Sequence, residues 1–303
     1  MKVLIIGLGS IAKKHIVALR KLVSPLELYA LRSIKPSNEM EGVHNLYSLS
    51  DAPANIDFIM ICNPTVNHYE TIKECIPFKC PLFIEKPVLK SLEGSNVLLA
   101  SLEKNNIKSY VAFSLRFHPV IKFLKIAIKG KTPIEASVYC GSYLPDWRPN
   151  TDYTKSYSAS ESRGGGVHLD VIHELDYVYW LFGKPDNVNS VKLKISDLQI
   201  TSKDYANYTF IYERFVANIS LNYFRKKPKR IIEIVFKDEI WTANLLKCEV
   251  TNEQGEVLFS NPDYNVLDTY ENQLQYFINH IESKNDYENN VAESLNVLTY
   301  CLK

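Results

Sequence analysis

The chain has 303 residues, of which 46% are hydrophobic, and 35 basic and 34 acidic side chains leave a formal net charge of +1. This length suits one large domain or two medium-sized ones. No basic excess points to nucleic acid, and no apolar run is long enough to span a membrane. The six cysteines lack C-x-x-C spacing, so we expect reduced thiols in a cytoplasmic protein that has no metal site.

The chain opens with a pattern that is typical of dinucleotide binding. Lys2 to Ile6 is a short apolar run that predicts a buried strand, and a helical pattern follows the residues Gly7-Leu-Gly9-Ser10-Ile11-Ala12. Gly7 allows a tight turn, Gly9 lets the backbone approach a pyrophosphate, and Ala12 lets the helix lie close to the strand. The free N–H groups at the helix start, around Ser10 and Ile11, then face the phosphates. The alternative is an ordinary turn that needs glycine only for its geometry.

The end of the second strand predicts which nicotinamide cofactor is preferred. Leu26 to Leu31 forms that strand, and Arg32-Ser33 follow it, with Lys35 close behind. NAD-binding proteins place an acidic residue here, whereas arginine beside a hydroxyl suits a 2′-phosphate. We therefore predict NADP in preference to NAD. In the alternative, Arg32 is a solvated surface charge and an acid such as Glu39 reaches the ribose.

Two further strand ends carry polar residues toward the same edge of the predicted sheet. Ile56 to Cys62 ends at Asn63-Pro64-Thr65, and His68 stands at the start of the next helix, either against the cofactor or in a local capping or packing role. Leu82 to Ile84 delivers Glu85-Lys86-Pro87. Lys86 is predicted to point toward the nicotinamide, the alternative being an ordinary surface lysine.

From about residue 120 the pattern changes, and strands dominate. Ile134 to Tyr143 is the first of them, and residues 217–223 alternate apolar and polar side chains, which is typical of a sheet with unequal faces. Further strands are predicted at about 189–197, 205–213, 215–224, 230–237 and 239–250. We therefore predict a dinucleotide-binding domain over 1–119 and an α+β domain over 120–303.

The second half also contains a polar, aromatic loop and a helix that carries ionisable residues. Trp147 and Arg148 belong to the loop, which either contacts a polyhydroxylated ligand or is simply ordered at the surface. Arg163 and three glycines precede a predicted helix over 167–182 that places Asp170 and His173 on one side. The flanking apolar residues argue against a merely solvated face.

These motifs together resemble the glucose-fructose oxidoreductase / inositol dehydrogenase (Gfo/Idh/MocA) family, in order and in approximate spacing. The resemblance implies an α/β fold: an N-terminal Rossmann domain with a doubly wound parallel sheet, and a C-terminal α+β domain with a large open, mostly antiparallel sheet. It also implies subunit contact through that open sheet, hence a homo-oligomer, either a dimer or a tetramer. In many members the histidine lies four residues after the aspartate, where this chain has Glu174. Either His173 keeps the family role with an adjusted helix start, which we favour, or Glu174 occupies that place.

The implied activity is hydride transfer between a nicotinamide cofactor and a carbinol or carbonyl carbon of a sugar-like substrate, including nucleotide-linked sugars. Lys86 and His173 are the acid–base candidates, and Asp170 orients them or holds substrate hydroxyls. The alternatives are a glycosidase that retains its cofactor and a non-catalytic NADP-binding sensor or assembly subunit. The predicted cofactor contacts are Gly7, Gly9, Ser10, Ile11, Ala12, Arg32, Ser33, Asn63, Pro64, Thr65, His68, Glu85, Lys86 and Arg116. The predicted substrate contacts are Lys86, Trp147, Arg148, Arg163, Asp170 and His173.

Overall fold

The structure is a computed structural model that describes residues 1–33 and 39–303. The chain divides into two compact units, one formed by Met1–Ser114 with Val266–Leu298 and the other by Leu115–Asn265 with Thr299–Lys303. The predicted domains, a dinucleotide-binding domain over 1–119 and an α+β domain over 120–303, stay a prediction. No helix of the described ranges is long and apolar enough to cross a membrane.

The helices and strands are numbered in chain order. The helices are α1 (Ser10–Leu22), α2 (His68–Cys75), α3 (Ser95–Lys104), α4 (Pro119–Ala127), α5 (Val167–Asp170), α6 (His173–Phe182), α7 (Val266–Asn279) and α8 (Val291–Leu302). The strands are β1 (Lys2–Ile6), β2 (Glu27–Leu31), β3 (Val43–Leu46), β4 (Phe58–Ile61), β5 (Leu82–Ile84), β6 (Ser109–Val111), β7 (Pro133–Tyr143), β8 (Asn187–Leu193), β9 (Tyr205–Tyr212), β10 (Phe215–Asn222), β11 (Phe224–Phe236), β12 (Ile240–Asn244), β13 (Glu249–Asn252) and β14 (Val257–Ser260).

The first unit is built on a six-stranded sheet in the order β3-β2-β1-β4-β5-β6, with every neighbouring pair parallel. The chain order reverses between β1 and β4, which is the doubly wound Rossmann arrangement and confirms the predicted fold class of this half. β4 and β5 are buried along their whole length, as their unbroken apolar sequences require.

The carboxyl-terminal helix α7 packs on α1 within this unit. Lys21 Nζ on α1 lies 2.9 Å from Glu271 Oε2 on α7, and Lys14 lies over the Tyr270 ring at 5.2 Å. Leu274 and Phe277, on the same helix, are fully buried. α7 therefore packs against α1 and buries an apolar stripe.

The second unit contains an eight-stranded sheet in the order β14-β13-β12-β11-β7-β10-β9-β8. Only the pairing of β10 with β7 is parallel, and the other neighbours are antiparallel. Ala217, Ile219, Leu221 and Tyr223 are buried, whereas the side chains between them on β10 are mostly half-buried. The sheet is large, open and mostly antiparallel, as predicted.

Two predicted elements differ from the structure for local reasons. The strand predicted over 239–250 is β12 followed by β13, because the Asn244 side chain accepts hydrogen bonds from the backbone N–H groups of Leu246 and Lys247. Cys248, at φ 54°, completes this turn. The single helix predicted over 167–182 is also wrong, because Val171 at φ −106° and ψ 32° separates α5 from α6. Gly183 ends α6 at φ 84°, as predicted.

Candidate functional site

The two glycines of the first turn meet different surroundings. Gly7 has φ +87°, and a Cβ there would lie 2.8 Å from Asn63 Cα. Gly9, at the N-cap of α1, has an ordinary φ of −83°, and the position of its missing Cβ has nothing within 4 Å among the described residues. Gly7 is therefore required by the protein's own backbone, whereas the absence of a side chain at Gly9 leaves open space in front of a helix.

The start of α1 fits an anionic group such as a pyrophosphate. In this 13-residue helix, all of which the structure describes, no side chain caps the N-terminus and no acidic residue lies in the first turn. Ser10 is exposed and Ile11 half-buried, whereas Ala12 is fully buried. The first N–H groups of a helix have no partner within the helix and carry a partial positive charge, so they can bind phosphate oxygens.

Arg32 extends from the carboxyl end of β2 and is oriented by the neighbouring strand. Its backbone N–H donates to Leu46 O at 2.9 Å, and its Nη1 donates to Asn45 Oδ1 at 3.0 Å. Ser33 and Glu39 are exposed. Lys35 lies outside the described residues. The guanidinium is thus partly preorganised at the strand end where the ribose of a dinucleotide is expected.

Glu85 and Lys86 follow β5 and are tied to α1. Glu85 is 9% exposed, and its Oε1 lies 2.6 Å from Nε2 of the fully buried His15. Its second oxygen accepts a hydrogen bond from the backbone N–H of Lys86 at 3.2 Å. His15 was missed by our sequence analysis. Its only signal is a polar residue on the apolar face of α1, beside Ile16 and between Ala12 and Leu19.

His68 lies inside the protein, where the packing alternative is favoured. The residue is fully buried, and its Nε2 lies 3.0 Å from Asn63 O. Its Nδ1 lies 3.1 Å from both Pro87 O and Val88 O. Burial lowers the pKa of His68. The ring therefore joins the segment after β4 to the segment after β5. Of the other predicted residues here, Pro64 is exposed and Thr65 half-buried.

In the second unit, Asp170 and Trp147 contact the same tyrosine. The hydroxyl of Tyr223 donates to Asp170 Oδ2 at 2.5 Å, and the Trp147 ring meets the Tyr223 ring edge-on at 5.2 Å. Trp147 Nε1 also donates to Ser142 Oγ at 2.8 Å. Burial and the Asp170 carboxylate raise the pKa of the Tyr223 hydroxyl well above its usual value, so it remains a donor. The alternating pattern of residues 217–223 placed Tyr223 on the apolar face of the sheet. It did not predict the hydrogen bond from Tyr223 to Asp170.

The two predicted arginines of this unit have different surroundings. Arg148 lies 5.8 Å over the exposed Tyr157 ring. Arg163 donates from Nη1 to Lys155 O at 3.0 Å and from Nη2 to Ser156 O at 2.6 Å. Arg163 thus supports the conformation of its own loop, while Arg148 lies one residue from Trp147.

Glu174, the alternative to His173, is held in a buried ion pair. Its side chain is fully buried, and Arg230 Nε on β11 donates to its Oε1 at 2.6 Å. His173 is the first residue of α6 and is half-buried. Glu174 is thus engaged with Arg230, and the choice of His173 over Glu174 stays a prediction.

Arg116, a predicted cofactor contact, is paired with Asp176. Its Nε and Nη2 donate to Asp176 Oδ2 and Oδ1 at 2.9 and 2.6 Å, and both residues are buried. A bidentate pair of this kind is a strong and directional interaction. Across residues 1–33 and 39–303, no group of three or more His, Cys, Asp or Glu side chains has a metal-binding arrangement.

Comparison with known proteins finds a family that the first part of the chain matches. A family model described as an oxidoreductase family with an NAD-binding Rossmann fold, GFO_IDH_MocA, matches residues 1–113. The match spans 113 of the 303 residues. It supports the resemblance that the glycine turn and the Glu-Lys-Pro motif indicated, and the class of nicotinamide-dependent dehydrogenase is confirmed.

The similar proteins share less than 30% of their residues with this chain. Myo-inositol 2-dehydrogenase of Thermotoga maritima is 25% identical, over 93% of this chain and 89% of that protein. The uncharacterized oxidoreductase YrbE of Bacillus subtilis is 29% identical over 59% of this chain, and the match spans only 53% of that protein.

Solved structures share the fold over nearly the whole chain. UDP-N-acetylglucosamine 3-dehydrogenase GnnA from Acidithiobacillus ferrooxidans is 18% identical with a TM-score of 0.80, covering 100% of this chain and 95% of that one. A levoglucosan dehydrogenase in complex with NADH is 16% identical with a TM-score of 0.83, covering 99% and 95%. The roles of individual site residues stay predictions.

Proposed function

We propose that this protein is a nicotinamide-dependent dehydrogenase that transfers a hydride between the cofactor and a carbinol or carbonyl carbon of a sugar or sugar derivative. The observation that carries the proposal is the open space at Gly9 in front of the uncapped helix α1. The pyrophosphate would be held by Gly9 and the N–H groups of Ser10 and Ile11. Arg32 and Ser33 would hold the ribose end.

The chain's own residues supply proton transfer and electrostatic stabilisation. When bound, the nicotinamide supplies the hydride chemistry. Oxidation of a carbinol also releases a proton, which a neutral His173 or Lys86 would accept. An ammonium at Lys86 would stabilise negative charge on the substrate oxygen. Asp170 would accept hydrogen bonds from substrate hydroxyls or would orient the acid–base group.

The proposed substrate class is a polyhydroxylated ring. Trp147, which is exposed, offers an aromatic surface, and its ring packs edge-on against the buried Tyr223, which donates to the Asp170 carboxylate. An aromatic surface near a carboxylate suits the apolar and polar faces of a sugar. The names of the similar proteins include an inositol, a UDP-linked sugar and levoglucosan. Arg148 would extend this range to anionic or nucleotide-linked sugars.

The proposed partner is a second copy of the chain. The open side of the eight-stranded sheet carries half-buried polar ladders, such as Asn207 with Ser220 and Thr209 with Asn218, and an open sheet of this size is suited to pairing with another copy. Light scattering would then give a mass of two or four times 34.8 kDa, and a single-chain mass at micromolar concentration would contradict the proposal. The cytoplasmic location stays a prediction.

Cofactor preference tests the role of Arg32. We expect NADPH to bind more tightly than NADH, and Arg32→Ala to weaken NADPH binding by about 10- to 100-fold, because a hydrogen bond to a charged group contributes about 1.5–3 kcal/mol. NADH binding should change by less than about threefold, since the lost contact is to the 2′-phosphate. Titration of nicotinamide fluorescence measures both. Tighter binding of NADH to the unmodified protein would contradict the NADP assignment.

The activity itself is tested with a substrate panel. Purified protein, either nicotinamide cofactor and a set of inositols, free sugars and UDP-linked sugars are mixed, and nicotinamide absorbance is followed. A dehydrogenase gives a substrate-dependent change in absorbance. Hydrolysis of a glycoside with no net change in the cofactor would instead indicate the cofactor-retaining glycosidase. Cofactor binding without any turnover would indicate a sensor or assembly subunit.

A further inference from the structure

We propose that His15 is a positioning residue for Lys86 and acts through Glu85. This inference rests on the proposed catalytic role of Lys86. His15 is fully buried on α1, and its Nε2 lies 2.6 Å from Glu85 Oε1. The other Glu85 oxygen accepts the backbone N–H of Lys86 at 3.2 Å. One carboxylate thus connects a buried imidazole to the backbone of the lysine.

The surroundings of the imidazole assign its proton. Nδ1 of His15 is buried and has no hydrogen-bond partner among the described residues. The ring instead meets Phe83 and Tyr270 edge-on, at 5.0 and 5.6 Å. A proton on Nδ1 would be a buried donor without an acceptor, whereas a lone pair there is cheaper to leave unpaired. The geometry therefore assigns a proton to Nε2, and this N–H donates to the Glu85 carboxylate.

The hydrogen bond from His15 gives the nearly buried Glu85 carboxylate a partner, directly before Lys86 and just after β5. Glu85 is 9% exposed and its own N–H is bonded to Ile61 O at 2.9 Å on the neighbouring strand. Burial and the Glu85 carboxylate both raise the pKa of the Cys62 thiol, so this thiol, just after β4, stays neutral. Without His15, Glu85 would lose one of its hydrogen bonds in a low-dielectric site, where such losses are expensive.

A second histidine holds the same segment from its other side. His68 contacts the carbonyls of Pro87 and Val88, each at 3.1 Å. The backbone on both sides of Lys86 is therefore anchored, through Glu85 toward α1 and through Pro87 toward α2. Precise placement matters for an acid–base group, since displacement by about 1 Å can cost a factor of about 100 in rate.

The test compares two substitutions at His15 in the full chain. His15→Phe fills the same space between aromatic rings but cannot donate to Glu85, whereas His15→Gln places an amide N–H near the position of Nε2. Amide hydrogen exchange at Lys86, read by NMR without cofactor or substrate, should accelerate at least about tenfold in His15→Phe and stay near the unmodified rate in His15→Gln. With the best panel substrate, kcat should fall by about 10- to 100-fold in His15→Phe and recover in His15→Gln.

The controls separate positioning from general stability. Val17→Ala changes an exposed residue of the same helix, 49% exposed, and should leave Lys86 exchange and kcat unchanged. Cofactor affinity should stay within about threefold in His15→Phe, because the pyrophosphate contacts lie at the helix start. If His15→Phe does not fold, His15→Asn, whose amide is too short to reach Glu85, takes its place with the same expected exchange.

Two results would overturn the proposal. One is unchanged exchange at Lys86 in a folded His15→Phe protein. The other is an equal loss of protection throughout the first unit, which would make His15 a general stabilising residue. A Lys86→Met protein with full turnover would instead remove the catalytic role of Lys86, and it would leave the exchange result intact, so the two failures are distinguishable.

Discussion

Replacing Lys86 with methionine is expected to lower kcat by about 10²- to 10⁴-fold, the usual contribution of a positioned acid–base or charge-stabilising group. Methionine retains most of the side chain's length and apolar stem while removing the ammonium. Lys86 is half-buried and follows a strand whose residues are fully buried, so its backbone position should survive the change. The measurement is steady-state turnover with the best substrate of the panel.

Two controls accompany the Lys86→Met measurement: the same substitution at a neighbouring lysine, and the NADPH affinity of the Lys86→Met protein. Lys90→Met changes an exposed lysine four residues later and should leave kcat within about twofold, as is usual for surface positions. The dissociation constant for NADPH should rise by less than about tenfold in Lys86→Met, because most of the cofactor's binding is expected at the glycine turn. Turnover at the unmodified rate would remove Lys86 from the proposed chemistry.

Replacing Gly9 with valine is expected to weaken cofactor binding by at least about 100-fold, or about 2.7 kcal/mol. The backbone of Gly9 has φ −83°, which any residue adopts, and its missing Cβ would meet nothing among the described residues. The melting temperature should therefore change little. The branched side chain would occupy the space that a pyrophosphate needs at the start of α1. Fluorescence titration with NADPH and thermal unfolding measure the two quantities.

Two other glycines show whether the effect at Gly9 comes from the ligand or from the backbone. Gly7→Ala should lower both stability and cofactor affinity, because its Cβ would lie 2.8 Å from Asn63 Cα at φ +87°. Gly255→Ala, at φ +82° with no described atom near its Cβ, should cost only the strain of a left-handed residue, about 1–2 kcal/mol. Normal NADPH binding by Gly9→Val would contradict the proposed pyrophosphate site.

The sequence predicted those strands whose residues form an unbroken apolar run. β1 and β5 are apolar runs that lie inside the sheet, and the structure gives them the predicted bounds, Lys2–Ile6 and Leu82–Ile84. The glycine turn could also be predicted from the sequence, because the strand, the glycines and the start of the helix follow one another within a dozen residues. β3 was missed since its four residues, Val-His-Asn-Leu, carry too little apolar pattern.

The side-chain contacts that form the candidate sites could not be predicted from local sequence patterns. His15 and Glu85 are 70 residues apart in the chain, and Asp170 and Tyr223 are separated by 53. Such pairs are set by the packing of distant elements, so helical or strand periodicity cannot indicate them. The break at Val171 is of the same kind, because no proline or glycine lies within residues 167–182 to mark it.

The most direct measurement is a fluorescence titration of the purified, unmodified protein with NADPH and with NADH. We expect saturable binding of one nicotinamide dinucleotide per chain, tighter for NADPH, and competition by the oxidised forms. Failure of all these dinucleotides to bind at millimolar concentration would contradict the claim that the protein is a nicotinamide-dependent dehydrogenase. Without a bound nicotinamide, the roles proposed for Lys86, His173 and Asp170 would have no hydride transfer to support.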